Sequence, residues 1–511
     1  MTLAQSILWT FFRSAVIATL AIVPLVWILR HLDSQTTVRA RRLWLVVSVL
    51  PLFVPELLIG FNYRLTATQL SAGSSPFVAA VGTEGLYGLI QFGRCLAVGV
   101  AVSLLIPNSP VTRESLHTWM MLKSTMTSIA WRTGWLRLMA TGPWLRLMVS
   151  WSLMSLIVFQ EFETAALMQI DRHPIAWTVW LFDAHAAYQP LWRSLQMTLL
   201  PLCCELLLLG PAFWLLATQR AVPDTSAGQP LLSLKSTRNT KAAAWTCLIP
   251  SLLFFVVWPI AANAATAIAG LLAMARNSFL LRQSFSEILT STGFALAAAV
   301  VAMTISSLLP ERRGMGNATV VRRSLFLIPG LLGSLVVSLL LLAMFQTPPL
   351  RFLYDTWLPM LLGLVLAVLP KAFAVVLLLK RSSDHSAVYS AELLASSSTP
   401  GTRTRAATIL WRLQTARWLL GGLVVAHWCF WDVTVASILH SVRLEPVITR
   451  LYNEMHYGRT EALMSLSFVA ACMPGLVWLL AMGSSWLVAR GRSRNHSFAA
   501  TGAASSSRGH G

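Results

Sequence analysis

Lys380-Arg-Ser-Ser-Asp-His-Ser-Ala-Val-Tyr389 runs into Ser390-Ala-Glu-Leu-Leu-Ala395. After a Ser/Thr/Pro/Gly turn comes a basic run ending Ala406-Ala-Thr-Ile-Leu-Trp-Arg-Leu413. The whole stretch, Lys380–Arg417, is a polar island between two strongly apolar segments. Leu393 and Leu394, then Ile409, Leu410 and Leu413, recur at helical spacing among charges. An apolar stripe backed by polar residues is what a helix lying across a membrane face requires, so two short amphipathic helices are expected here. Lys380, Arg381, Arg403, Arg405, Arg412 and Arg417 put the loop in the cytoplasm by the positive-inside bias. The island reads as a docking element, and the apolar chain around it as the machine that a cytoplasmic partner drives.

The rest of the sequence sets that island in a membrane. Of 511 residues, 56% are hydrophobic and 11% charged, with a mean hydropathy of +0.65. Apolar runs of about 20 residues, each long enough to cross ~30 Å of hydrocarbon, fall at 7–30, 43–62, 86–106, 143–160, 195–217, 244–262, 286–308, 324–345, 355–379, 418–439 and 461–489. An all-α integral membrane protein with about eleven transmembrane helices is expected, with the first run retained as a span. The 21 Trp suit a chain with many membrane interfaces, where indole rings settle at headgroup depth. A net charge of +20 does not indicate nucleic acid, because the basic residues lie between spans rather than on one face with interleaved aromatics.

Charge also sets the orientation. Segments 30–42, 107–142, 218–243, 309–323 and 490–511 carry four Lys/Arg each, and 380–417 carries six. The alternate segments hold only Arg64, Arg172, Arg193, Arg276, Arg282, Arg351, Arg443, Arg450 and Arg459. The N-terminus is therefore expected outside and the C-terminus in the cytoplasm. The Ser/Ala/Gly-rich tail after Arg494 reads as unstructured.

Two halves of the chain match. Phe53-Val-Pro55-Glu-Leu-Leu-Ile-Gly60 aligns with Leu327-Ile-Pro329-Gly-Leu-Leu-Gly333. Phe159-Gln-Glu161-Phe-Glu-Thr-Ala165 aligns with Phe430-Trp-Asp432-Val-Thr-Val-Ala436, and Thr178…Asp183-Ala-His185 with Thr449…Glu454-Met-His456. Three matches in order at a nearly constant offset indicate duplication. Five spans take the chain from outside to inside, so one more must return it before a second copy begins. The expected plan is a first repeat over 1–217, a linker, linking helix and outer loop over 218–285, a second repeat over 286–489 and a cytoplasmic tail over 490–511. Parallel repeats of this kind are related by an axis along the membrane normal, with the path between them.

Five-span repeats with an amphipathic cytoplasmic loop between the third and fourth spans resemble the permease subunits of binding-protein-dependent ABC importers. The likeness is greatest to the fused two-copy type of ferric-iron uptake systems. In that family the loop carries a Glu-Ala-Ala…Gly…Leu-Pro signature whose short helices fit clefts on the ATPase subunits. Ser390, Ala391, Glu392, Leu393, Leu394 and Ala395 stand where the signature would begin, and Ile409, Leu410 and Arg412 where it would end. Tyr389 or Glu392 takes the glutamate position, Ala395 the glycine and Arg412 the proline. Loop 107–142 is basic, with Trp131, Gly134 and Trp135, and has no recognisable signature. The resemblance implies a non-catalytic translocating subunit of a bacterial inner membrane. It would be driven by two copies of a separate ATPase and supplied with solute, ferric iron among the possibilities, by an external binding protein.

Among residues with possible chemistry, no phosphate-cradling loop occurs, since Gly-Lys is absent,. The cysteines, Cys95, Cys203, Cys204, Cys247, Cys429 and Cys472, lie in apolar segments without metal-ligand spacing and read as small packing residues. No metal site and no cofactor are expected. Arg94 and Lys371, at comparable places in the third and ninth spans, either face a shared cavity or are structural, pairing with Glu56 or Glu205 or, for Lys371, snorkelling. Glu161 and Asp432, at the outer ends of the fourth and tenth spans, either line the mouth of the path or accept hydrogen bonds at a helix-to-loop turn. His185 and His456, each two residues after an acid (Asp183, Glu454), read either as metal ligands or, in the absence of a tight His/Cys/Asp cluster, as interfacial hydrogen-bonding groups, the preferred reading. Competing classes are a secondary transporter with Arg94, Lys371, Glu56 and Glu205 as an ion relay, and a membrane enzyme. The enzyme would need a larger outer domain or a clustered acidic site than this sequence offers.

Overall fold

The computed structural model describes residues 2–506 except 36, 73, 107–112, 142, 171, 188, 219–236, 310–326, 383–384, 398, 443 and 457–459. Much of the 218–243 linker therefore lies outside the described residues. Among the described residues the chain is helical, with one isolated β-bridge between Ile170 and His173. It divides into two compact units. One holds Met1–Ala269, Leu332–Arg351 and Met455–Gly458; the other holds Gly270–Leu331, Phe352–Glu454 and Arg459–Gly511.

In the first unit the helices are α1 (Leu3–Asp33), α2 (Val38–Val49), α3 (Glu56–Ser71), α4 (Pro76–Leu105), α5 (Arg113–Met121), α6 (Ser128–Thr141) and α7 (Pro143–Gln160). They are followed by α8 (Glu163–Met168), α9 (Trp177–Ala186), α10 (Leu191–Met197), α11 (Leu199–Thr218), α12 (Arg238–Leu252) and α13 (Trp258–Arg276), which enters the second unit from Gly270 onward. α1 begins at a capping box, in which Thr2 and Gln5 satisfy each other's backbone N–H groups,. Its inner face, Ile7, Thr10, Ser14, Ala18, Ala21, Leu25 and Ile28, is buried, while Leu8, Phe12, Leu20 and Val23 on the other face are exposed. A helix apolar on both faces has hydrocarbon as its outer solvent. α1, α4 and α7 pack against one another in a three-helix core, with Leu25, Ile28, Val100, Met154 and Val158 at its centre. α3 lies on α8 and α4, closing a second cluster around Ile59, Tyr87, Met168 and Phe255.

The second unit holds α14 (Ser278–Leu308), then, after the short α15 (Ser334–Phe345), which belongs to the first unit and packs on α10, α16 (Leu358–Ser382). Next come α17 (His385–Ala395), α18 (Pro400–Leu410), α19 (Ala416–Phe430), α20 (Val433–Leu439), α21 (Val447–His456) and α22 (Thr460–Ser506). Asn277 caps α14, its side-chain oxygen accepting from the N–H groups of Phe279 and Leu280,. α14, α16 and α19 form a three-helix core of their own.

Among the described residues seven helices are long and apolar enough to cross a membrane, or up to ten if each of three bent pairs counts as one span. The chain is a multi-pass, all-α membrane protein. Two expected spans are broken rather than straight. The run 43–62 bends by 72° between Arg39–Phe53 and Glu56–Ser71, at Pro55, because a proline disfavours helical backbone in the residue before it. The run 418–439 bends by 56° between Gly401–Phe430 and Val433–Leu439, whereas 143–160 is the single helix α7, set at 62° to the helix before it. In the described part of 324–345, the apolar helix is the 12-residue α15, about 18 Å long, preceded by Gly333 at φ 82. That left-handed backbone, tolerated without penalty by glycine alone, stops a continuous helix. The tail expected to be unstructured after Arg494 continues α22 to Ser506; its alanines favour helix.

Candidate functional site

Two groups of residues hold chemistry: a polar stripe inside the first unit, and helical hairpins at the loops. The stripe runs along α4, where Glu84, Tyr87, Gln91 and Arg94 follow at helical spacing on one face,. Arg94 pairs with Glu56 at the start of α3. It also lies within electrostatic reach of Glu161, so one guanidinium serves two carboxylates. Tyr87 donates to Glu161 at 2.7 Å, and the Arg13 guanidinium stacks 4.4 Å above the Tyr87 ring. Arg13 also bonds Glu84 at 2.8 Å. Glu84 in turn accepts from the backbone N–H of Ile175 at 2.7 Å. Gln91 is wholly buried, and neither end of its amide has a protein partner.

Glu161 is 5% exposed. Besides the Tyr87 hydroxyl it accepts the backbone N–H groups of Thr164, at 2.5 Å, and Ala165, at 3.2 Å. Asp432 has the same place in the second unit: it caps α20, accepting from the N–H of Val435 at 2.9 Å. Both carboxylates thus serve as caps that satisfy the open donors of a short helix. Arg94 and Glu56 are brought together as the sequence allowed. Glu205 is buried and accepts from Gln160 at 2.9 Å. Lys371 lies 5.9 Å from the Trp428 ring, at cation–π distance,. His185 sits on α9 with Nδ1 buried and without a partner. Burial pushes its pKa below the ordinary imidazole value, so it is neutral at pH 7. The described part of His456 is the last backbone residue of α21. No group of three or more metal-ligating side chains occurs among the described residues. The six cysteines are free, with Cys95, Cys204 and Cys429 buried.

At the second loop, α17 and α18 pack on each other, and α18 on α22. Ser390, Ala391, Glu392, Leu393, Leu394 and Ala395 fill the last turns of α17; Ile409 and Leu410 end α18. Arg412 lies in a π-helical turn, Trp411–Thr415, that leads into α19. Ala391 and Ala406 are buried, so close helix contact is made through small side chains. Tyr389 and Leu393, one turn apart, are 63% and 56% exposed, and Leu394 is 45% exposed, which gives the hairpin an apolar outer face.

Sequence reasoning found no signature in loop 107–142, yet a hairpin stands there too. The Trp131 indole N–H donates to the Trp119 carbonyl at 3.2 Å, and Trp131 stacks on Trp135 at 5.5 Å. Gly134 lets the Trp119 ring close in, since a Cβ there would lie 2.2 Å from it. Met120, Met121 and Ile129 are exposed on its outside. The signal was present in the Trp131, Gly134 and Trp135 spacing, but three residues do not specify a partner helix. Sequence reasoning also passed over two buried pairs, Arg13–Glu84 in the first unit and Arg450–Glu287, at 2.8 Å, in the second.

No protein-family model, curated protein or solved structure matches this chain.

Proposed function

We propose that the chain is the non-catalytic, membrane-spanning subunit of an ABC importer, with both permease repeats in one polypeptide. The observation that carries this reading is the pair of helical hairpins, one in each basic loop, each showing exposed apolar side chains: Met120, Met121 and Ile129 in one, Tyr389, Leu393 and Leu394 in the other. A membrane protein driven by a separate ATPase needs such a surface in each half, because the push must be received outside the lipid and carried by rigid helices. The three-helix core within each unit and the paired caps Glu161 and Asp432 support duplication. On this reading the eleven-segment plan counts the bent pairs and the region of α15 as spans. The N-terminus is outside, the C-terminus is in the cytoplasm, and the membrane is a bacterial inner membrane. Two ATPase copies drive the chain, and an external binding protein delivers the solute, for which the resemblance implies ferric iron.

The test is reconstitution in liposomes with and without the ATPase. Uptake is expected to require ATP, to survive ionophores, and to fall at least tenfold in Tyr389→Ser/Leu393→Ser or on deletion of Ser390–Leu413, with membrane insertion unchanged. A second reading, secondary transport, is favoured by the charged stripe of Arg13, Glu84, Glu56, Arg94 and Glu161, because intramembrane ionisable residues commonly mark ion pathways. Gradient-driven uptake by this chain alone would establish that reading and overturn the first.

A further inference from the structure

Lys371 stands near the middle of α16, inside the 23-residue span Leu358–Lys380. Its side chain is exposed rather than covered by protein. Among the described residues it forms no ion pair and no hydrogen bond, and its ammonium lies 5.9 Å from the Trp428 ring of α19. A cation held on an aromatic face keeps its three N–H donors for another acceptor. Asp432 shares the electrostatic neighbourhood of Cys429 with Lys371, but it is not the ion-pair partner of Lys371, and its Oδ1 caps α20.

The first unit treats its cation differently. Arg94, at the comparable place, is buried and paired with Glu56. In the repeat match Pro55-Glu56 corresponds to Pro329-Gly330, so the second unit has no carboxylate at the place of Glu56. It could not take one there: a Cβ on Gly330 would collide with Pro370, the residue before Lys371, and with the Leu366 carbonyl. Lipid does not resolve the charge either. The nearer end of the span, Lys380, is nine residues on, about 14 Å along the helix, beyond the reach of a snorkelling lysine. An ionisable side chain at this depth faces the bundle interior or water-filled space, because hydrocarbon solvates it poorly.

We propose that the Lys371 ammonium is a solute contact in a water-filled part of the second unit, and that the solute is an oxyanion carrying carboxylate or phosphate. This names a substrate class for the proposed function and rests on the reading that the chain translocates a solute. An unpaired ammonium beside an indole attracts negative oxygen and repels metal cations, so ferric iron would pass this point only as an anionic chelate. The repeats then differ in use: Glu56 neutralises the cation of the first, and cargo meets that of the second.

The experiment is acetylation of the full chain in phosphatidylcholine nanodiscs by sulfosuccinimidyl acetate, a membrane-impermeant amine reagent, read by mass spectrometry. Lys371 is expected to react, as does Lys123, which is exposed outside the spans. Citrate or inorganic phosphate at about ten times its Kd should slow acetylation of Lys371 roughly tenfold and leave Lys123 unchanged. Tetraethylammonium chloride at the same ionic strength should protect neither. Protection by citrate alone, or by phosphate alone, assigns the oxyanion to that class. Ala374→Glu, one turn along α16, should give Lys371 a carboxylate and abolish the protection, whereas Ala374→Gln should retain it. The proposal is overturned if Lys371 reacts only after extraction into detergent, if neither anion protects it, or if Lys123 or tetraethylammonium shows the same effect. Undiminished protection in Ala374→Glu would overturn it as well. No ATPase and no gradient enter this experiment, so its failure leaves the importer reading to be decided by ATP-dependent uptake.

Discussion

Arg94→Met is the sharpest test of the buried polar stripe. The Arg94 and Glu56 side chains are 10% and 33% exposed, and Glu161, the second carboxylate within reach of the guanidinium, is 5% exposed. If the pair behaved as a surface ion pair, its loss would cost about 0–1 kcal/mol. Removal of one partner from a desolvated pair costs about 3–5 kcal/mol, because the remaining charge stays buried without compensation. Glu56 keeps partial access to solvent, which sets the expectation at the lower end, about 3 kcal/mol. Glu161 moderates the loss further, since Tyr87 and two backbone N–H groups still hold it. Glu56→Gln alone should cost about 1.5–3 kcal/mol, the range for a hydrogen bond to a charged group. The double variant Glu56→Gln/Arg94→Met should be more stable than the two losses added together, with a coupling of at least about 1 kcal/mol. The assay is SDS-induced unfolding of the purified chain in neutral micelles, followed by far-UV circular dichroism. A loss below 1 kcal/mol for Arg94→Met, or two losses that simply add, would refute the reasoning that α4 carries a desolvated charge pair.

Two further predictions concern the loops. Gly134→Val should displace the Trp119 ring, because the new Cβ would lie 2.2 Å from it. The expected cost is about 1–3 kcal/mol of overpacking, read as faster amide exchange across 113–141. Gly293→Ala, where nothing lies within 4 Å, should leave exchange unchanged, and unaltered protection in Gly134→Val would remove the packing argument. His185 should make stability fall on acidification: its pKa is depressed in the folded state by burial, so the unfolded chain binds the proton more readily. Its contribution is full above the ordinary imidazole value and is lost as pH falls through about 6.5. His185→Asn should flatten that part of the pH–stability curve between about pH 7 and 5, and an unchanged slope would contradict the assignment.

The sequence alone determined the solvent of this protein. A run such as 244–262 has no charged residue along its whole length, and a helix without a charged face suits hydrocarbon, so the all-α membrane class was legible from composition and spacing. The amphipathic pair around Leu393 and Ile409 was legible for the same reason, since helical period depends on neighbours along one chain. The break at Pro55 was visible as a residue but not as a 72° bend, because proline sets the local backbone while packing sets where the helix goes next. Tertiary structure alone decided which of the possible partners Arg94 takes, Glu56 being 38 residues away on another helix. It also decided that Glu161 faces Tyr87 and caps α8, and that loop 107–142 folds around Trp119. A charge in a span announces that it must be paired. Which carboxylate it meets depends on how separate helices are rotated and stacked, and that information belongs to no single stretch of sequence.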